Sequence, residues 1–175
     1  MKIEKVHAVY FSPTGTTKTV ITHLVKCITT LLPEVVTEVK DFTLPSGRKK
    51  VPDIRESELA IVGLPVYAGR LPNLLLNYLT TWQSNGAWAV PVVVYGNRSY
   101  GNALVELYDI LTDKLLNTVF KKRPGNPCDD LADGKEKFVA QDVFTQTACL
   151  LQIIGIFGRI CLQIWKRQNS FRQRS

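Results

Sequence analysis

Short, continuous apolar runs alternate along the chain with longer stretches whose apolar residues recur at helical spacing. Lys5 to Phe11 is a run of β-branched and aromatic residues bounded by turn formers, the pattern of a strand buried on both faces. From Thr16 to Leu32 the apolar residues Val20, Ile21, Leu24, Val25, Ile28, Leu31 and Leu32 follow a helical period, and Pro33 ends it. The valine-rich Glu34 to Lys40 predicts a second strand. Asp41 to Asp53, with two prolines, a glycine and the basic run Arg48-Lys49-Lys50, predicts a connection without much structure. Glu58 to Leu64 predicts a third strand, followed by a loop and a helix starting near Pro72. Trp88 to Tyr95 is the strongest strand pattern, and a polar, glycine-bounded loop separates it from a helix over Asn102 to about Leu116.

This alternation predicts the α/β class, a doubly wound parallel sheet with helices on both faces, because a crossover between parallel strands needs about a dozen residues. Val119-Phe120 are the candidates for a short fifth strand. Beyond them, residues 121–137 read as a loop or frayed helix, and the apolar Asp142 to Trp165 reads as a final helix. The expected organisation is one domain over residues 1–120 and an atypical extension over residues 121–175.

Composition narrows the classes. With 45% apolar and 21% charged residues in 175, the chain has the balance of a globular protein with a sizeable core. The net charge is +7, but Arg159, Lys166, Arg167, Arg172 and Arg174 carry five of those charges in a segment without acidic residues, Ile156 to Ser175. No basic stripe interleaved with aromatics remains elsewhere, so nucleic acid is not an expected partner. Gln152, Arg159 and Gln163 interrupt the apolar segment and argue against a membrane span. Cys27, Cys128, Cys149 and Cys161 lie too far apart to form a metal-binding CxxC pair. Together with an N-terminus lacking the apolar region of a signal peptide, they point to a cytoplasmic protein. His7 and His23 have no ligand pattern around them and read as structural. No nucleophile elbow or zinc-protease pair is present, so no catalytic side chain is assigned.

The chemistry concentrates in Ser12-Pro13-Thr14-Gly15-Thr16-Thr17, between the first strand and the first helix. Backbone N–H groups at a helix start, together with the helix dipole, make that position an anion site. Hydroxyls add neutral donors, and Gly15 permits close approach of the backbone. One cap residue would suffice to start a helix. Four hydroxyls and a glycine in six residues exceed that need and predict a phosphate site. The loop lacks the GxxxxGK[ST] and GxGxxG spacings of nucleoside triphosphate and dinucleotide binders.

The pattern Ser/Thr-x-Thr-Gly-x-Thr after a first strand, met here by Ser12, Thr14, Gly15 and Thr17, resembles the phosphate loop of the flavodoxin family. Tyr10 to Thr17, Pro65 to Pro72 and Tyr95 to Tyr100 further resemble the flavodoxin-like domain that precedes a ferredoxin-type domain in anaerobic fusion proteins. The match covers about residues 1–115. The resemblance implies a sheet of order 2-1-3-4-5 with FMN at its switch point, flavodoxin itself being a known case of that rule. It implies that Pro65, Val66, Tyr67, Ala68 and Gly69 flank one side of the flavin, and Gly96, Asn97, Arg98, Tyr100 and Gly101 the other. Tyr67 and Tyr100 are the candidate stacking rings, and Arg70 and Arg98 are either charges near the flavin or solvated surface groups. The implied function is an FMN-binding electron-transfer module whose partner is a redox protein such as a ferredoxin or ferredoxin-type domain. Rival readings are an NAD(P)H-dependent flavin or quinone reductase on the same fold and a degenerate scaffold without flavin.

Overall fold

A computed structural model describes residues 3–83, 86–96, 99–113, 117 and 118. Its strands are β1 (Lys5–Tyr10), β2 (Val36–Asp41), β3 (Glu58–Pro65), β4 (Trp88–Val94) and the two-residue β5 (Asn117–Thr118). The helices are α1 (Thr16–Leu31), α2 (Asn73–Leu79) and α3 (Ala103–Asp113). All strand pairings are parallel, in the order β2-β1-β3-β4-β5. The expected boundary near residue 120, Val119-Phe120 and the C-terminal helix lie outside the described residues.

Each helix forms where the sequence supplies a stripe. In α1 the buried residues are Thr17, Ile21, Leu24, Val25 and Ile28, one face of a 3.6-residue period. Leu32 leaves the helix with φ −128° and ψ 73° because a residue before proline is driven out of the helical region. In α3 the buried stripe is Ala103, Leu107 and Leu111. Strand alternation then sorts two cores. Val6, Ala8, Tyr10, Leu59, Ile61 and Val90 pack with α1, while Val9, Val62, Leu64 and Ala89 pack with Leu75, Leu79, Leu107 and Leu111. β1 and β3 are therefore sandwiched on both faces, whereas β2, with Val36 and Val39 exposed, is an edge strand.

Gly63 marks the tightest packing between layers. A Cβ there would lie 2.3 Å from Ile21 Cγ1 and 3.2 Å from Thr17 Cγ2, so only a glycine on β3 lets the start of α1 settle this closely. One stretch departs from expectation. Pro45–Arg48 forms a 3₁₀ turn within the connection after β2. It folds back because Gly47 has no side chain, and a Cβ there would lie 2.3 Å from the Asp41 carbonyl oxygen.

At the other end of the sheet, His7 is fully buried with its Nε2 2.7 Å from Glu58 Oε2. Lys5 Nζ donates to Glu38 Oε2 at 3.2 Å, and Lys40 also pairs with Glu38. The hydrogen bond from Lys40 leads the effects that hold the Glu38 carboxyl down to about 2, from an ordinary 4.5. Burial alone would raise Glu58, but the Arg55 N–H, His7 and Lys5 together hold it below its ordinary value. A carboxyl depressed in the folded state stabilises fully above its unfolded pKa, and that contribution is lost as pH falls through the folded one. Stability should therefore fall from about pH 4.5 down toward about pH 2, as measured by the denaturant midpoint across pH. Glu38→Gln should flatten that acid limb. An unchanged limb would deny the cluster this role.

Candidate functional site

The loops after β1, β3 and β4 all leave the C-terminal edge of the sheet. β1 runs outward to β2, while β3 and β4 run the other way, so the β1/β3 boundary is a topological switch point, where open α/β sheets bind ligands.

The loop expected to hold an anion, Ser12 to Thr17, is built on that boundary. Phe11 N–H is anchored on the Gly63 carbonyl at 3.1 Å, continuing the sheet for one residue beyond β1. Ser12 Oγ accepts the Lys18 N–H at 2.9 Å, and Gly15 N–H closes a turn on the Ser12 carbonyl at 3.3 Å. Gly15 precedes the helix with φ 84° and open space where a Cβ would stand. Its conformation, not crowding, calls for glycine. Thr14 Oγ1 and Thr16 Oγ1 lie 3.4 Å apart on the exposed side, whereas Thr17 is buried with its methyl toward Gly63.

Three donors are left over at this end of α1. The N–H groups of Thr16 and Thr17 find no acceptor among the described residues, as the first turn of a helix dictates, and neither does that of Thr14 just before it. Ser12 does cap the helix, yet its hydroxyl spends only its acceptor side on Lys18 and keeps its own hydrogen to donate. Capping and anion binding are thus compatible at one residue. Burial, and then the adjacent Asp41 carboxylate, push the Tyr10 phenol just before the loop above its ordinary 10.

The other two loops are joined to each other. Tyr67 N–H donates to the Arg70 carbonyl at 2.9 Å and Arg70 N–H to the Tyr67 carbonyl at 3.0 Å. This closes a two-residue turn over Ala68 (φ 51°) and Gly69 (φ 76°), the positive-φ pattern of a type I′ turn. Asn102 N–H then donates to the Gly69 carbonyl at 2.8 Å, and the backbones of Gly69 and Gly101 touch directly. Glu106 at the start of α3 ties the pair further, accepting the Leu71 N–H at 3.0 Å and pairing with the Arg70 guanidinium.

Ser12 through Thr17 lead from β1 into the first turn of α1. Pro65 ends β3, Val66 N–H donates to the Val94 carbonyl at 2.9 Å, and Tyr67 stands 47% exposed. Gly96 is exposed, and a Cβ there would meet nothing within 4 Å. Tyr100 is buried, with its ring 5.6 Å from that of Tyr95. Of the two candidate rings, Tyr67 is the one presented to solvent at this edge. Arg70 points its charge at Glu106 instead of standing alone, and Asn97 and Arg98 lie outside the described residues. Sequence reasoning missed Thr43, which reaches Ser12 from the β2 connection, Arg48, which holds the Thr43 carbonyl, and Glu106. The spacing Asp41-x-Thr43 is an Asx-turn signal that could have pointed to Thr43.

Ala68 carries the backbone strain of this site. Its exposed methyl gains little packing, and the left-handed region costs about 1–2 kcal/mol for a residue with a Cβ. That exceeds the ~0.5–1 kcal/mol that glycine's extra freedom costs on folding. Ala68→Gly should therefore stabilise the protein by about 0.5–1 kcal/mol in urea denaturation. A loss of stability there would contradict the strained turn.

No protein-family model matches the sequence, and no curated protein matches it. Solved structures do. A Fusobacterium nucleatum flavodoxin bound to flavin mononucleotide is similar over 91% of this chain and 98% of its own, with 15% identity and a TM-score of 0.54. A flavodoxin from the domain Archaea is similar over 89% of this chain and 98% of its own, with 16% identity and a TM-score of 0.49. Among the described residues no helix is long and apolar enough to cross a membrane. Strand order, parallel pairing, flanking helices and the structural match together give this chain a flavodoxin-like α/β fold.

Proposed function

We propose that the chain is an FMN-binding electron-transfer module. The observation that carries this reading is an uncharged donor loop, Ser12 to Thr17, set at the β1/β3 switch point beside two loops joined through Gly69 and Gly101. The open N–H groups of Thr14, Thr16 and Thr17 and the hydroxyls of Ser12, Thr14 and Thr16 fit a phosphate monoester dianion. Such donors hold an anion without a lysine. In this reading the ring system is received by residues 65–69 and by Gly96, Tyr100 and Gly101, with exposed Tyr67 offering an aromatic face. A bound flavin supplies the electron exchange, while the protein sets its position and electrostatic surroundings. The partner in this reading is another redox protein, such as a ferredoxin or a ferredoxin-type domain, in the cytoplasm.

The test is titration of FMN into the purified chain, followed by flavin fluorescence, beside the double substitution Thr14→Ala with Gly15→Val. Loss of charge-assisted hydrogen bonds to the phosphate should weaken FMN at least about tenfold in the variant. A folded chain that leaves FMN fluorescence untouched at every concentration sinks the reading. Oxidation of NADH by the loaded protein would move the assignment to a reductase.

A further inference from the structure

The anion loop is braced from outside by a segment that makes none of the contacts assigned above. Thr43 Oγ1 accepts the Ser12 N–H at 2.9 Å. Thr43 is itself fixed on two more sides, its N–H donating to Asp41 Oδ1 at 2.9 Å and its carbonyl accepting from Arg48 Nη2 at 2.9 Å. Arg48 Nε donates to the Phe42 carbonyl at 3.1 Å, and the guanidinium lies 5.8 Å from the centroid of the Phe11 ring. Arg48 thus spends its guanidinium on two backbone carbonyls and the Phe11 ring and forms no ion pair with a carboxylate among the described residues.

Three consequences follow for Ser12. Its N–H is consumed by Thr43, so it does not compete for the anion. Its Oγ is turned to the Lys18 N–H, so the one hydrogen it still offers is that of the hydroxyl. The Phe11–Ser12 backbone is gripped between the Gly63 carbonyl on one side and the Thr43 hydroxyl on the other. A donor loop fixed before the ligand arrives loses less freedom on binding, which is how preorganisation raises affinity.

We infer that Thr43 and Arg48 are positioning residues of the anion loop, setting the phosphate's share of flavin affinity without touching the flavin. This rests on the FMN reading for its ligand but not for its geometry. Holding the loop matters to a flavin that carries a phosphate and not to riboflavin, which lacks one. A merely structural role would weaken both alike.

The experiment compares FMN and riboflavin affinities of the full chain with those of Thr43→Val, Thr43→Ser and Arg48→Lys, and follows amide exchange at Ser12 and Lys18 without ligand. Thr43→Val keeps the side-chain shape but strands the Ser12 N–H, so FMN should weaken about tenfold with riboflavin unchanged. Thr43→Ser restores the acceptor and should rescue FMN binding. Arg48→Lys keeps the charge and loses the planar two-carbonyl grip, so it should fall between. In the ligand-free Thr43→Val chain the Ser12 amide should exchange at least about tenfold faster. Equal weakening of FMN and riboflavin, or no weakening, overturns the inference. Should the unsubstituted chain bind no FMN, the functional reading falls, and unaccelerated exchange at Ser12 then overturns the brace on its own.

Discussion

Gly101→Ala should unfold more easily than the parent by about 2–4 kcal/mol, combining left-handed strain with overpacking against a backbone that cannot yield. Gly101 has φ 51°, and a Cβ on it would lie 2.4 Å from the Gly69 carbonyl oxygen and 2.6 Å from Gly69 Cα. Those atoms belong to a closed turn whose carbonyl already accepts the Asn102 N–H. Relief would require the two loops to part. The mirror substitution is the control. A Cβ on Gly69 would meet Gly101 Cα at 3.4 Å, an ordinary contact, so Gly69→Ala should cost only the conformational ~1–2 kcal/mol. Equal losses for the two variants in urea denaturation would mean the loops do not meet backbone to backbone. FMN affinity should follow the same asymmetry, because parting these loops moves the walls proposed for the ring while leaving the anion loop intact.

That asymmetry also shows where sequence reading stops. The α/β class, the four longer strands and the three helices were legible because apolar runs and helical stripes report burial directly, as in Thr17, Ile21, Leu24, Val25 and Ile28 of α1. The hydroxyl-rich loop from Ser12 to Thr17 was legible because its donors are contiguous in the chain. Gly69 and Gly101 were named from resemblance as walls of a flavin site, and nothing in either segment shows that they touch. That contact joins residues 32 positions apart and depends on the backbone reversal at Ala68-Gly69. The 41–53 connection was harder still. Its prolines and charges read as loop, yet Gly47 folds it back and Thr43 finds Ser12, 31 residues away. Local composition reports that a segment is a connection and says nothing of which distant N–H it will accept.

Gly63 carries the remaining link between core and site, and its substitution should expose that link as a coupling energy. A methyl at Gly63 would lie 2.3 Å from Ile21 Cγ1 and 2.5 Å from Cδ1, and 3.2 Å from Thr17 Cγ2. Inserting it should cost about 1–3 kcal/mol through overpacking. Ile21→Ala alone should cost about 2–5 kcal/mol, since Ile21 is fully buried and the change leaves a cavity. The two changes occupy the same space, however, so the added methyl fills part of what the smaller side chain vacates. The double variant should then be no less stable than Ile21→Ala, a coupling of about 1–3 kcal/mol in a double-mutant cycle. Additive losses would show that helix and strand do not meet at this point. Thr17 sits in the first turn of α1 and closes the anion loop, so Gly63→Ala should also weaken FMN, and Ile21→Ala on top should recover part of that loss. Recovery would tie the affinity to how closely α1 seats on β3. Its absence would place the anion loop's geometry in the loop alone.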